Sequence, residues 1–264
     1  MKPRIMALPI SLFASVVISL AAASSTATHA AGPPKPTISE DASSAVSRMG
    51  KALQSKVFSF QAQTIRVYDD QNGEQLHIAH EFKVTVRRPD RLLIEGTGDD
   101  GPRKLVYDGN TVVLALGDGK EYAAIPVPNT IQRMMQVVMG HFGVDFPLAD
   151  FLTDDPGKAF LTGVTSGREV NVVTIGGIQC RHLVFLQPPG IQLELWLEDN
   201  DQSLPRRLIV TYRSLPGEPN FVAEMSDWNF SVQPSDAEFK FEPPQGAQQL
   251  EFGAALKRST GAKQ

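Results

Sequence analysis

The sequence predicts an α+β fold: one curled antiparallel β-sheet of about ten or eleven strands that either closes on itself or leaves a concave apolar face, with helices to plug it. Three observations lead there. Short runs rich in β-branched and aromatic residues follow one another through turns built on Gly and Asp. The hydrophobic period switches to helical spacing in two places, near Ile38 and near Ile131. The run from Phe221 to Val232 alternates as a half-buried strand does, and Phe239 and Phe241 keep the two-residue period before Pro243-Pro244 stops it.

Taken in order, residues 1–30 have Lys2 and Arg4, an apolar stretch from Ile5 to Ala23, and small residues up to Ala30. This is the layout of a cleavable signal peptide, with cleavage after Ala30 or Ala27. An uncleaved anchor is the competing reading, but the apolar run carries Pro9 and fades into Ser, Thr and Ala without stop-transfer charges. The only cysteine, Cys180, lies far from the cleavage site, so it offers no lipidation point and no internal disulfide. Residues 31–36 are Pro-rich and read as a disordered linker. One domain is expected over 37–252, followed by a flexible polar tail over 253–264.

Within the domain, Ser39 and the Glu40-Asp41 pair open an amphipathic helix over 38–53, with Ala42, Ala45, Val46, Met49 and Leu53 on one face. Strands are expected over 57–68 and 76–87 around a loop at Asp69–Gly73, then over 91–96, 103–107, 111–116 and 121–127. A helix follows over 129–142 (Ile131, Met134, Met135, Val138, Phe142), and a helical turn over 147–151. Further strands are expected over 169–175, 178–186, 191–197, 204–212, 221–232 and 239–241. The helical middle reads as an insertion into one sheet, not as a boundary between domains.

The composition narrows the function classes. The chain of 264 residues has a formal net charge of −4 with both signs interspersed and no basic block, so nucleic acid is not an expected partner. A monomer is expected. Gly96-Thr-Gly98-Asp-Asp-Gly101 copies dinucleotide-type glycine spacing, but a strand follows it where a helix N-terminus is required, and its aspartates would repel phosphates. His77 and His80 are three apart on a strand and so face opposite ways. The acidic pairs flank Gly or Pro, as solvated turns do. No catalytic constellation, metal site or cofactor is expected.

Met134, Met135 and Met139 fall within two helical turns, and such side chains suit a surface packing against variable shapes, although plain core filling satisfies the same spacing.

Three segments together carry a resemblance: Val84-Thr-Val-Arg87-Arg88-Pro89-Asp-Arg91-Leu92, Leu105-Val-Tyr-Asp108-Gly109-Asn-Thr-Val-Val-Leu114, and Phe239-Lys-Phe-Glu-Pro243-Pro244-Gln-Gly246. In this order they resemble periplasmic lipoprotein carriers of the LolA/LolB type, and within that superfamily the predicted periplasmic branch of the DUF2092 type. The resemblance implies a half-open antiparallel barrel with helices capping its concave face, in an exported, non-enzymatic periplasmic protein with an apolar cavity for lipid or lipoprotein acyl chains under a helical lid. It also implies exchange with an inner- or outer-membrane partner. The expected cavity residues are Phe58, Phe60, Val84, Leu93, Leu114, Leu195 and Trp196, and the expected lid residues are Met134, Met135, Val138 and Met139. Arg88 matches the arginine that latches lid backbone in those carriers. The resemblance also admits a second function, a sensor or interaction module of the RseB type.

Overall fold

The computed structural model describes residues 37–69, 72–143 and 146–259; the signal-peptide and linker expectations lie outside them. A single unclosed sheet of thirteen strands runs through the molecule. In chain order the strands are β1 (Thr37–Ile38), β2 (Val57–Asp69), β3 (Gln75–Arg87), β4 (Arg91–Gly98), β5 (Arg103–Tyr107), β6 (Thr111–Leu116), β7 (Glu121–Pro126), β8 (Ser166–Ile175), β9 (Ile178–Gln187), β10 (Ile191–Glu198), β11 (Pro205–Tyr212), β12 (Asn220–Asn229) and β13 (Gln248–Gln249). The spatial order is β1-β8-β9-β10-β11-β12-β2-β3-β4-β5-β6-β7-β13. Two antiparallel meanders, β2–β7 and β8–β12, are therefore joined side by side where β12 pairs with β2.

The sheet is mixed rather than purely antiparallel. Its two marginal strands, β1 on β8 and β13 on β7, run parallel and pair over two residues each. Both lie where the sequence shows too short a run to read as a strand.

Four helices accompany the sheet: α1 (Glu40–Leu53), α2 (Ile131–Phe142), α3 (Pro156–Leu161) and α4 (Phe252–Ser259). Ser39 caps α1 by accepting from the Ala42 amide at 3.4 Å, as its sequence suggests. Thr130 caps α2 by accepting from Arg133 N at 3.2 Å, and Gly143 ends it in the left-handed conformation that glycine adopts without strain. The turn expected over 147–151 is a 3-10 helix, Ala149–Leu152.

Two expectations are corrected, and one helix had none. Residues 239–241 form no strand: Asp236–Phe239 is a 3-10 turn that buries Phe239. Residues 253–264 were expected to be a flexible polar tail, but α4 spans the chain to Ser259 and buries Phe252 and Ala255, residues three apart on one helical face. Helix α3 was not foreseen, because six residues beginning at Pro156 give too little periodicity to read.

Candidate functional site

Successive strand residues point to opposite faces, so the burial of neighbours assigns each face. Phe58, Phe60 and Ala62 of β2, Val84 and Val86 of β3, Leu92 of β4, Leu114 of β6, and Leu193, Leu195 and Leu197 of β10 belong to one continuous apolar core. The helices contribute to the same core through Val46, Met49 and Leu53 of α1 and through Ile131, Met134, Met135 and Val138 of α2. Met139 is half-buried at its margin. The inward sheet face is thus a floor of aromatic and branched side chains that shares one core with α1 and α2, and methionines form much of what α2 contributes to it.

Five of the seven expected cavity residues meet there: Phe58, Phe60, Val84, Leu114 and Leu195. Two do not. Leu93 packs with Val106 and Phe239 in a separate small cluster, on the face opposite Leu92. Trp196 stacks on His182 with ring centroids 4.0 Å apart and lies under the Arg207 guanidinium, on the face opposite Leu195. Both sit in unbroken apolar runs, Leu92-Leu93-Ile94 and Leu195-Trp196-Leu197, where no alternation marks the phase.

The floor also has members that the sequence did not single out. The register of β12 against β2 shifts between Ser226 and Asn229, and Asp227 adopts φ 54°. This irregularity brings the Trp228 ring onto Phe60, 4.4 Å between centroids, while its indole N–H donates to the Pro205 carbonyl at 3.0 Å. Phe230 continues the stack to Phe58 at 5.9 Å.

The floor is deeply buried: Phe58 and Leu195 have no accessible surface, while Phe60, Val84 and Leu114 keep 1–5% and Met134, Met135 and Val138 of α2 keep 2–7%. Two grooves lie elsewhere. One of about 390 Å³ runs between α1 and α3 past Ser47, Gly50, Lys51 and Gly157. The other, of about 530 Å³, lies beside β1 and β8. No expected cavity or lid residue lines either groove.

Arg88 is a clasp built on backbone. Its guanidinium donates to the carbonyls of Leu152 at 2.7 Å and Leu53 at 3.1 Å, and lies 3.8 Å from Asp154. Burial lowers its pKa, and Asp154 opposes that shift. The carbonyls it holds belong to the end of α1 and to the 3-10 helix, not to α2, the helix that carries the lid methionines.

At the far end of the floor from Arg88, the side chains turn polar. His80 of β3 pairs across to Gly98 and Phe82 to Gly96. A Cβ at Gly96 would meet the Phe82 ring at 2.4 Å, and one at Gly98 would meet the His80 ring at 2.3 Å, so the two glycines make room for these rings. His80 Nε2 lies 2.9 Å from Asp100, which also pairs with Arg103. Desolvation first, then the Arg103 charge, lowers the His80 pKa to about 4. The imidazole is therefore neutral at neutral pH. Among the described residues no three His, Cys, Asp or Glu side chains converge as metal ligands would.

A family model described as a predicted periplasmic protein, DUF2092, matches residues 42–253. The chain belongs to the DUF2092 family. The match spans both meanders of this DUF2092 protein and all the helices up to the start of α4. A comparison with curated proteins returns no match. Among solved structures, the DUF2092 chain is similar to the Mycobacterium tuberculosis lipoprotein LppX, with 17% identity and a TM-score of 0.45 over 74% of this chain and 99% of that one. It is similar to the Pseudomonas aeruginosa MucA/MucB complex, with 16% identity and a TM-score of 0.41 over 76% of this chain and 61% of that one. A putative outer membrane lipoprotein-sorting protein domain from Vibrio parahaemolyticus gives 11% identity and a TM-score of 0.34, over 74% and 95% of the two chains.

Proposed function

We propose that this is a non-enzymatic periplasmic binding protein that takes up acyl chains by exchange, with the hydrocarbon replacing the underside of α2 on the sheet floor. The observation that carries this reading is the way α2 is fastened. Among the described residues its polar ties to the rest of the fold lie in its first turn: the Thr130 cap, the Ile131 amide donating to the Pro89 carbonyl at 2.8 Å, and the Gln132 side chain accepting from the Asp154 amide at 3.3 Å. Beyond that turn, Met134, Met135, Val138 and Met139 hold it by apolar contact. Such a helix can pivot about Thr130 and uncover Phe58, Phe60, Val84, Leu114 and Leu195.

Magnitudes favour exchange over filling a permanent hollow. An acyl chain of about fourteen carbons gains roughly 11 kcal/mol on burial, at about 0.8 kcal/mol per methylene. Exposing the four α2 side chains costs roughly 1.5–3 kcal/mol each. The two sides nearly balance, which suits reversible loading. The family description as predicted periplasmic agrees with a compartment that insoluble chains must cross.

The test is uptake of a fluorescent fatty acid, cis-parinaric acid, by the full chain, together with native mass spectrometry of protein purified from its own host. Saturable uptake or copurified lipid is the expected result. A clean apo protein that leaves the probe dark would refute the acyl reading.

A second reading, an interaction module, is favoured by a different observation. The core that α2 shares with the sheet is buried, whereas the groove beside β1 and β8 is open.

A further inference from the structure

The two margins of the sheet are finished differently. At one, β13 covers Glu121 and Tyr122, the chain then enters α4, which packs on β6 and β7, and β7 itself ends on Pro126. At the other, β1 covers only Ser166 and Gly167 before Ser39 turns the chain into α1. Among the described residues, 168–175 of β8 have no strand beyond them. Open edges are ordinarily blunted by Pro, Lys, helices or short length. This edge reads Arg-Glu-Val-Asn-Val-Val-Thr-Ile, with no Pro or Lys, and exposes Val170 (41%) and Val172 (44%). Its one protective device is a register shift between Glu169 and Asn171, which leaves 171–175 regular.

The groove of about 530 Å³ adjoins this edge and lies on the face opposite the floor, since its Val184 and Leu186 alternate with the core residues Leu183 and Phe185. Val184 and Leu186 give it an apolar wall, and Leu186 is 41% exposed. Arg168 and Arg213 also line it. Among the described residues neither forms an ion pair: Arg168 reaches only the Glu169 carbonyl at 3.5 Å, and Arg213 the Gln192 side chain at 3.4 Å. On a chain of net charge −4, two guanidinium groups without a carboxylate partner share one cleft beside a bare strand.

We propose that this margin docks an acidic, extended segment of a partner protein. The segment pairs its backbone with residues 171–175 of β8, and its end sets a carboxylate between Arg168 and Arg213 and an apolar side chain against Val184 and Leu186. β-Strand addition of this kind draws affinity from main-chain hydrogen bonds and specificity from the side-chain pocket. The edge already accepts a strand at its first two positions, from β1. A row of backbone donors and acceptors suits a peptide, whereas a lipid surface has no use for it. The site is independent of the acyl-chain reading, because the floor lies on the other face.

The test uses the full chain and three fluorescein-labelled octapeptides read by anisotropy. One alternates Asp and Val, one alternates Lys and Val, and one is the acidic peptide N-methylated at alternate amides. Saturable binding of the acidic peptide is expected, with at least tenfold weaker binding of the other two. The double variant Arg168→Glu/Arg213→Glu is expected to lose at least tenfold, and Val172→Lys about fivefold, with circular dichroism unchanged because all three positions are surface ones. Acidic and basic peptides binding alike, or variants without effect, would overturn the proposal. So would phosphatidylglycerol vesicles being bound through the two arginines in place of the peptide, or a dimer of the chain that Val172→Lys dissociates.

Discussion

Helices α1 and α2 share one hydrophobic core with the sheet, yet they are fastened in opposite ways. Helix α1 is held along its whole length. Its Ser39 amide donates to the Gly167 carbonyl, Arg48 donates to Ser203 at 3.0 Å, Gly50 meets the backbone of α3 at Gly157, and the Leu53 carbonyl is taken by Arg88. Helix α2 is tied at its first turn and rests on methionines thereafter. On the proposed exchange the difference would separate scaffold from moving part, since polar ties and backbone contact fix a helix in one place more firmly than apolar contact from flexible side chains does.

The largest expected effect breaks the scaffold side. A Cβ at Gly50 would lie 2.7 Å from the Gly157 amide nitrogen, and backbone cannot yield as a side-chain tip can. Gly50→Val should cost about 3 kcal/mol in urea unfolding, by overpacking. A neutral result would mean that α1 is no more fixed than α2.

Arg88→Ala comes next. It strips two buried carbonyls of a charged donor, each worth about 1.5 kcal/mol or more, for a loss of about 2–3 kcal/mol by the same measurement. Arg88→Lys should recover little of it, since a single ammonium on a flexible stem cannot reproduce the fork that spans Leu152 and Leu53.

Acid titration probes the sheet without touching either helix. The fold holds His80 neutral, and the unfolded chain takes up a proton near pH 6.5. Stability is therefore fully present above pH 6.5 and is lost as pH falls towards about 4. After solvent screening the loss is about 1–2 kcal/mol. His80→Gln should flatten that slope in thermal unfolding at pH 7, 6 and 5, and an unchanged slope would assign the loss to other groups.

The smallest stability effect sharpens the contrast most. Thr130→Ala removes the α2 cap at a cost of about 1 kcal/mol. If α2 is the moving part, this variant takes up cis-parinaric acid faster than the parent. Ser39→Ala, which uncaps α1 at a similar cost, leaves the uptake rate unchanged.

How far the sequence disclosed all this depended on the kind of signal. Strands β5 and β6 were legible to the residue because Asp108-Gly109 and Asp118-Gly119 punctuate them. The α1 boundary was legible from Ser39. The phase of β4 and β10 was not, because unbroken apolar runs fit either face, and that placed Leu93 and Trp196 on the wrong side of the sheet. Phe239 and Phe241 imitated a strand because burial of one aromatic against Leu93 and Val106 produces the same two-residue spacing. Trp228 was visible as a residue, but its place on the floor follows the irregularity at Asp227, which leaves no mark in hydrophobic pattern. The depth of burial of the floor was beyond reach as well, since spacing records which residues face inward and not how tightly they meet.

The seam where β12 meets β2 lies at the centre of the sheet and joins segments from opposite halves of the chain. Each meander can zip up locally, hairpin by hairpin, but their union has to wait until nearly the whole polypeptide has emerged. A partly delivered chain would thus hold two incomplete ribbons with their greasy sides uncovered, and it would need shielding by chaperones until the last third arrived.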